Sequence, residues 1–146
     1  MAKPKTNRRQ SREAAFEILF EWSFNEYPVQ DLLLGAADAR DADPDEFALR
    51  IISNVIEHYQ QLDALIESRS ENWKITRISR VTLAALRIAF CELEYFDDVP
   101  TGATINEAVE LVKKYGTEDE AAYLNGILGA YAREGSKSGS DAQNGG

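Results

Sequence analysis

Residues 81–91 read VTLAALRIAFC, an apolar run broken only by Thr82 and Arg87. A membrane span takes about 20 such residues, so this stretch is too short to cross a bilayer. A helix apolar on nearly every side has to be enclosed by other elements, and the segment predicts the centre of a helical domain. The helix is expected to reach about Phe96, where Asp97-Asp98-Val99-Pro100 breaks it.

The flanking segments carry the same period. Ala15, Ile18, Leu19, Phe20 and Trp22 form one face of an amphipathic helix over about 8–25, which Tyr27-Pro28 interrupts. A short helix over Val29–Ala39 follows, with Leu32, Leu33 and Leu34. Next, RDADPDE reads as a start signal, with Asp43 as cap, Pro44 in the first turn and Glu46 as the capping-box acid. It opens a helix over about 44–69 that buries Phe47, Ile51, Ile52, Val55, Ile56, Tyr59, Leu62 and Ile66. Thr104 with Glu107 and Thr117 with Glu120 both fit capping boxes. Between them Gly116 is expected to end a helix in the left-handed conformation. In the last helix Ala122, Gly126 and Gly129 form a stripe of small residues, which suggests close approach of another helix or a ligand. No segment alternates as a strand does. The fold class is all-α, a single domain of six or seven helices, preceded by a flexible basic arm over residues 1–7 and followed by a Gly/Ser-rich disordered tail over 135–146.

A length of 146 residues suits one domain, and 44% apolar residues are enough to fill its core. Residues 1–12 hold Lys3, Lys5, Arg8, Arg9 and Arg12 with no acid. That is +5 against −14 for the remaining 134 residues, which together make the net −9. Such a body repels a polyanion at long range while its arm attracts one locally. There is no apolar signal segment and no run of 18 apolar residues, so a cytoplasmic protein without membrane contact is expected.

Reactive groups are scarce. His58, the only histidine, lies among Glu57, Gln60 and Gln61 and reads as a surface residue. Cys91 sits in the most apolar segment with no histidine to activate it, so a buried inert thiol is the simpler reading. A single cysteine excludes an intramolecular disulfide and any multi-cysteine zinc site. Phosphate-loop, dinucleotide and zinc-protease motifs are missing. No enzyme, cofactor or metal is expected.

Two basic islands remain: KPKTNRRQSR, and Arg69, Lys74, Arg77, Arg80 and Arg87 against Glu71. Composition alone weighs a solubilising patch and a phosphate-binding surface evenly. Arginine suits phosphate through its bidentate fork, and Trp73, Tyr115 and Tyr123 are rings on which unpaired bases can stack.

ALRIAFCELEYFDDVP, followed by INEAVELVKKYGTEDEAAYLNGIL, resembles the C-terminal signature of the NusB family of transcription antitermination factors. RRQSREAAFEILFEW resembles the family's arginine-rich start, and the likeness spans residues 8 to about 131. It implies two perpendicular helical bundles and no catalysis or cofactor. It also implies binding of single-stranded boxA RNA in ribosomal RNA leader transcripts, together with the ribosomal protein NusE, within the transcription elongation complex. RNA-binding positions fall on Arg8, Arg9, Arg12, Arg87, Asp119 and Tyr123, and partner-binding positions on Phe20 and Thr82. The family includes monomers and homodimers.

The chain departs from that pattern at four places. Gly102 and Ala122 stand where the family often has lysines, Phe20 where it has tyrosine, and Thr82 where it has an acid. Losing lysines would weaken phosphate binding. An alternative is therefore a protein–protein adaptor that kept the fold and lost RNA binding. RNA cytosine methyltransferases carry a similar helical domain ahead of a catalytic part, for which this chain is expected to have no room.

Overall fold

The computed structural model describes residues 7–25, 44–70 and 74–144. Five α-helices occur among them: α1 (Arg8–Asn25), α2 (Glu46–Arg69), α3 (Arg80–Tyr95), α4 (Thr101–Tyr115) and α5 (Glu118–Asn144). A single 3-10 turn, Ile75–Arg77, precedes α3. The chain is all-α. The short helix expected over Val29–Ala39 lies outside the described residues, as do Lys3, Lys5 and Trp73. The bounds of α5 take in part of the segment expected as a Gly/Ser-rich tail.

The quoted segment lies where its composition requires. Every residue of α3 from Thr82 to Glu92 is buried, and α1, α2, α4 and α5 all pack against this helix. Named contacts fix the directions. Arg12 meets Glu92 near the end of α3, and Ser23 meets Arg80 at its start, so α1 and α3 are antiparallel. Thr104 meets Glu92 while the backbone at Gly116 lies against Val81, so α4 also runs back along α3. α5 runs with α3, from Glu120 beside Thr82 to Tyr131, whose ring meets Phe90 edge-on at 5.0 Å. Phe16, Leu19, Ile51, Ile66, Leu86, Phe90, Leu124 and Leu128 fill the shared interior. Truncating Phe90 to alanine there costs about 3–5 kcal/mol.

Helix starts explain where the sequence reading was right and where it erred. At α1 the Asn7 amide donates to Gln10 Oε1 (3.2 Å), and the Gln10 amide donates back to Asn7 Oδ1 (2.8 Å). Asp45, not Asp43, caps α2: its Oδ1 accepts from the Ala48 amide at 2.9 Å, and its other oxygen accepts from the Ser11 hydroxyl of α1. Pro44 thus precedes the helix. The Thr117–Glu120 box forms as expected. The Thr117 amide donates to Glu120 Oε1 (2.9 Å) and the Glu120 amide to Thr117 Oγ1 (3.1 Å).

The Thr104–Glu107 box does not form. α4 begins one turn earlier, after Pro100, which frees both side chains for tertiary bonds. Proline suits this place because the first amides of a helix have no internal partner.

Two glycine expectations are also corrected. Gly116 ends α4 with φ −128°, outside the left-handed region. Its requirement is space: a Cβ would lie 2.7 Å from Glu120 Oε1 and 3.1 Å from the Val112 carbonyl oxygen. Among the described residues nothing stands within 4 Å of a Cβ at Gly126, and Ala122 is exposed, so no described helix packs closely on that stripe.

Candidate nucleic-acid interface

α1 brings Arg8, Arg9 and Arg12 to one end of the molecule, but to three different environments. Arg8 is exposed, with its guanidinium 4.3 Å from the Phe47 ring centroid and 3.4 Å from Asp98. Asp98 also accepts two hydrogen bonds from Arg50, at 2.9 and 3.1 Å. The Arg50 bonds are the main reason its carboxyl is held down at about 2.

Arg9 forms a bidentate pair with Glu107 of α4, at 2.8 and 2.9 Å. Hydrogen bonding to Arg9 lowers the Glu107 pKa, and the same bond raises that of Arg9. Arg12 is different. It is 4% exposed and forks onto Glu92, itself 1% exposed, at 2.7 and 2.8 Å. Thr104 donates to the same carboxylate at 2.9 Å. Arg12 is therefore an internal clamp joining α1, α3 and α4, with no open face for a phosphate.

Arg87 is likewise an internal group. It forks onto Asp63 of α2 at 2.7 and 2.8 Å, with Trp22 and Tyr59 beside its guanidinium. Its side chain ties α3 to α2 and α1.

Asp119 and Tyr123 lie one turn apart on α5 and line one open cleft of about 350 Å³ with Arg77, Ile78, Ser79, Thr82 and Glu120. Ser79 caps α3 by accepting from the Thr82 amide at 3.1 Å and donates to the Thr82 hydroxyl at 3.0 Å. That hydroxyl faces Glu120 Oε2 at 3.5 Å. Hydrogen bonds, first from Ser79 and then from Thr117, lower the Glu120 pKa. Thr82 is buried. Sequence reasoning assigned Thr82 to a separate partner surface, whereas the structure gathers it with Asp119 and Tyr123. Phe20 is half-buried in an aromatic row, stacked on Phe16 at 5.8 Å and meeting exposed Phe24 edge-on at 4.9 Å.

The α1–α4 seam connects the arginine end to this cleft. Along it Arg9 pairs with Glu107, Glu13 with Lys114 (3.1 Å), and the Tyr115 hydroxyl donates to Glu17 (2.7 Å). Tyr115 stacks on Phe16 with centroids 4.7 Å apart, so its ring is engaged by the core. The seam runs about 12 Å from Arg9 to Glu17 at 1.5 Å per helical residue. It then meets Gly116 and the Thr117–Glu120 box at the cleft.

Several members of this surface were missed. Arg77 and Arg80 belong to the second basic island, and the sequence reading gave them no site role. Arg77 is exposed at the cleft, and Arg80 donates to the Ser23 carbonyl at 2.7 Å while lying over Phe24. Lys113 and Lys114, in the last turn of α4, received no reading from the sequence. The acids that bind the arginines lie up to 98 residues away in sequence, and no local spacing reveals them.

The reactive-group expectations find simple structural places. Cys91 is a buried free thiol, pushed up to about 12 by burial. His58 is half-buried, its ring stacked on Tyr95 at 4.3 Å. Among the described residues no cluster of His, Cys, Asp and Glu could hold a metal ion, and no helix is long and apolar enough to cross a membrane.

Comparison with known proteins places this architecture. A model of the NusB family matches residues 9–133. The transcription antitermination protein NusB of Natranaerobius thermophilus is 39% identical over 133 residues, covering 88% of this chain and 96% of that protein. The protein of the same description from Geobacter sulfurreducens is 40% identical over 124 residues, covering 83% and 90%. Among solved structures, T. maritima NusB aligns with a TM-score of 0.82 at 36% identity, over 90% of this chain and 94% of that one. A crystal structure of antitermination factors NusB and NusE in complex with dsRNA aligns with a TM-score of 0.76 at 25% identity, over 84% and 93%. The chain belongs to the NusB family.

Proposed function

We propose that this protein is a transcription antitermination factor that binds single-stranded boxA-type RNA of ribosomal RNA leaders, together with the ribosomal protein NusE, in the elongation complex. The observation that carries the reading is the cleft where Asp119, Tyr123 and Arg77 meet, joined along the α1–α4 seam to Arg8 and Arg9. Such a surface offers a ring for stacking, a carboxylate for base amino groups and guanidinium forks for phosphates. Family membership, and the solved NusB–NusE–RNA complex of similar fold, support the partner assignment.

Within this reading Arg8 and Arg9 meet phosphate, Tyr123 meets a base, and Arg12 and Arg87 hold the helices that carry them. The aromatic row at Phe20 and exposed Phe24 faces NusE, while buried Thr82 supports the cleft from within. At Thr82, where the resemblance implies an acid, the hydroxyl instead donates to Glu120 at 3.5 Å.

The test is titration of a labelled boxA-like RNA with and without NusE. The wild type should bind more tightly with NusE present, and Tyr123→Ala should lose about tenfold or more, the worth of one stacked base. RNA binding unaffected by Tyr123→Ala would remove the ring from the interface. One observation favours the adaptor reading: each seam cation is already paired with a carboxylate. Binding of NusE with no RNA binding at low salt would select that alternative.

A further inference from the structure

Arg9 and Glu107 form a fork-to-fork pair with unequal exposure. The Arg9 side chain is 54% exposed and that of Glu107 is 16% exposed. The carboxylate thus sits behind the guanidinium and occupies its Nε–Nη2 edge, one of the two edges that can hold a phosphate through paired N–H groups. Neighbouring charges repeat the arrangement. Lys114 faces Glu13 at 3.1 Å and Lys113 faces Glu110 at 3.7 Å, while Arg9, Glu13, Glu107, Glu110 and Lys114 share one small cavity of about 130 Å³. The surface is therefore neutralised from within. A polyanion takes that edge of Arg9 only by displacing Glu107 from it.

We propose that Glu107 is an internal phosphate mimic that guards Arg9, so that RNA is admitted by ion-pair exchange and indiscriminate binding of other polyanions is suppressed. The inference rests on the RNA-binding reading and adds to it a determinant of specificity. Its physical basis is a difference. An RNA seated by its base in the Asp119–Tyr123 cleft can lay the following nucleotides along the α1–α4 seam towards Arg9, which favours the exchange. A strand lacking that anchor meets Glu107 as a like charge in competition for the same fork. Arg9 is more than half exposed, so water reaches its guanidinium as the pair opens.

The experiment compares wild type, Glu107→Gln and Arg9→Ala against boxA-like RNA and against polyuridine, each across a salt series. Glutamine keeps the shape and one acceptor for Arg9 but removes the charge. A phosphate about 6 Å from a lost negative charge gains roughly threefold in affinity in water. Glu107→Gln should therefore tighten polyuridine binding about threefold or more at low salt, with a smaller gain for boxA-like RNA. It should also steepen the slope of log K against log salt by up to about 0.7, the value of one more single-strand phosphate contact. Thermal melting of both variants confirms that the fold is retained.

If boxA-like RNA binding needs Arg9 but Glu107→Gln leaves polyuridine affinity and slope unchanged, or weakens them, the guard is overturned and Glu107 merely positions Arg9. If neither wild type nor Glu107→Gln binds any RNA, the RNA reading falls and the guard with it. Polyuridine binding gained only in Glu107→Gln supports the guard directly.

Discussion

At the scale of single residues, the arginines of α1 divide by the acids they meet. Arg12 and Glu92 form a buried pair, so removing one partner strands the other in the interior. Arg12→Ala should lower stability by about 3–5 kcal/mol in urea unfolding. The double change Arg12→Met with Glu92→Leu should recover most of that loss, because paired charges can be exchanged for packed apolar groups. Any RNA defect of Arg12→Ala must be read after this effect. Asp98 gives a second prediction. Its folded pKa of about 2 lies below the ordinary carboxyl value, so its contribution to stability is full above about 4 and fades as pH falls towards 2. Following the Asp98 carboxyl by NMR should place its midpoint near 2, and Arg50→Ala should return it towards the ordinary range. The arginine-rich start was legible in the sequence. The assignment of Arg12 and Arg87 to internal clamps was not, because Glu92 and Asp63 lie 80 and 24 residues away.

At the scale of elements, the α4–α5 junction sets the cleft. Thr117 and Glu120 satisfy one another's amides, and Glu120 also reaches Thr82 of α3. Thr117→Ala should cost about 1 kcal/mol as a lost cap. Gly116→Ala should cost at least as much, since its methyl group would press on the Glu120 carboxylate and the Val112 carbonyl. Chemical denaturation measures both. The period of apolar residues gave α1, α2 and α3 closely, and α3 needed only its composition. Capping signals were less decisive. TxxE occurs twice, at 104–107 and 117–120, yet only the second is a cap. Thr104 is buried against Glu92 and Glu107 is drawn to Arg9, so tertiary bonds override the local signature.

At the scale of the whole molecule, an acidic body carries cations along one seam, each held by an acid. Gly102 and Ala122, the two positions where the family resemblance leads one to expect lysines, line one open hollow between α4 and α5 with Asn106, Lys113 and Asn125. A side chain at Gly102 meets nothing within 4 Å. Gly102→Lys and Ala122→Lys should therefore fold normally, and each should steepen the salt dependence of RNA binding by up to about 0.7. The family signature was legible in the sequence, but the gathering of Thr82 with Asp119 and Tyr123 needed α3 and α5 side by side. The most direct measurement of the central claim is the salt dependence of boxA-like RNA binding for wild type and for Arg8→Ala with Arg9→Ala. If these two guanidinium groups contact phosphates, the double variant binds more weakly and its slope falls by about 1.4. An unchanged affinity and slope would contradict the account.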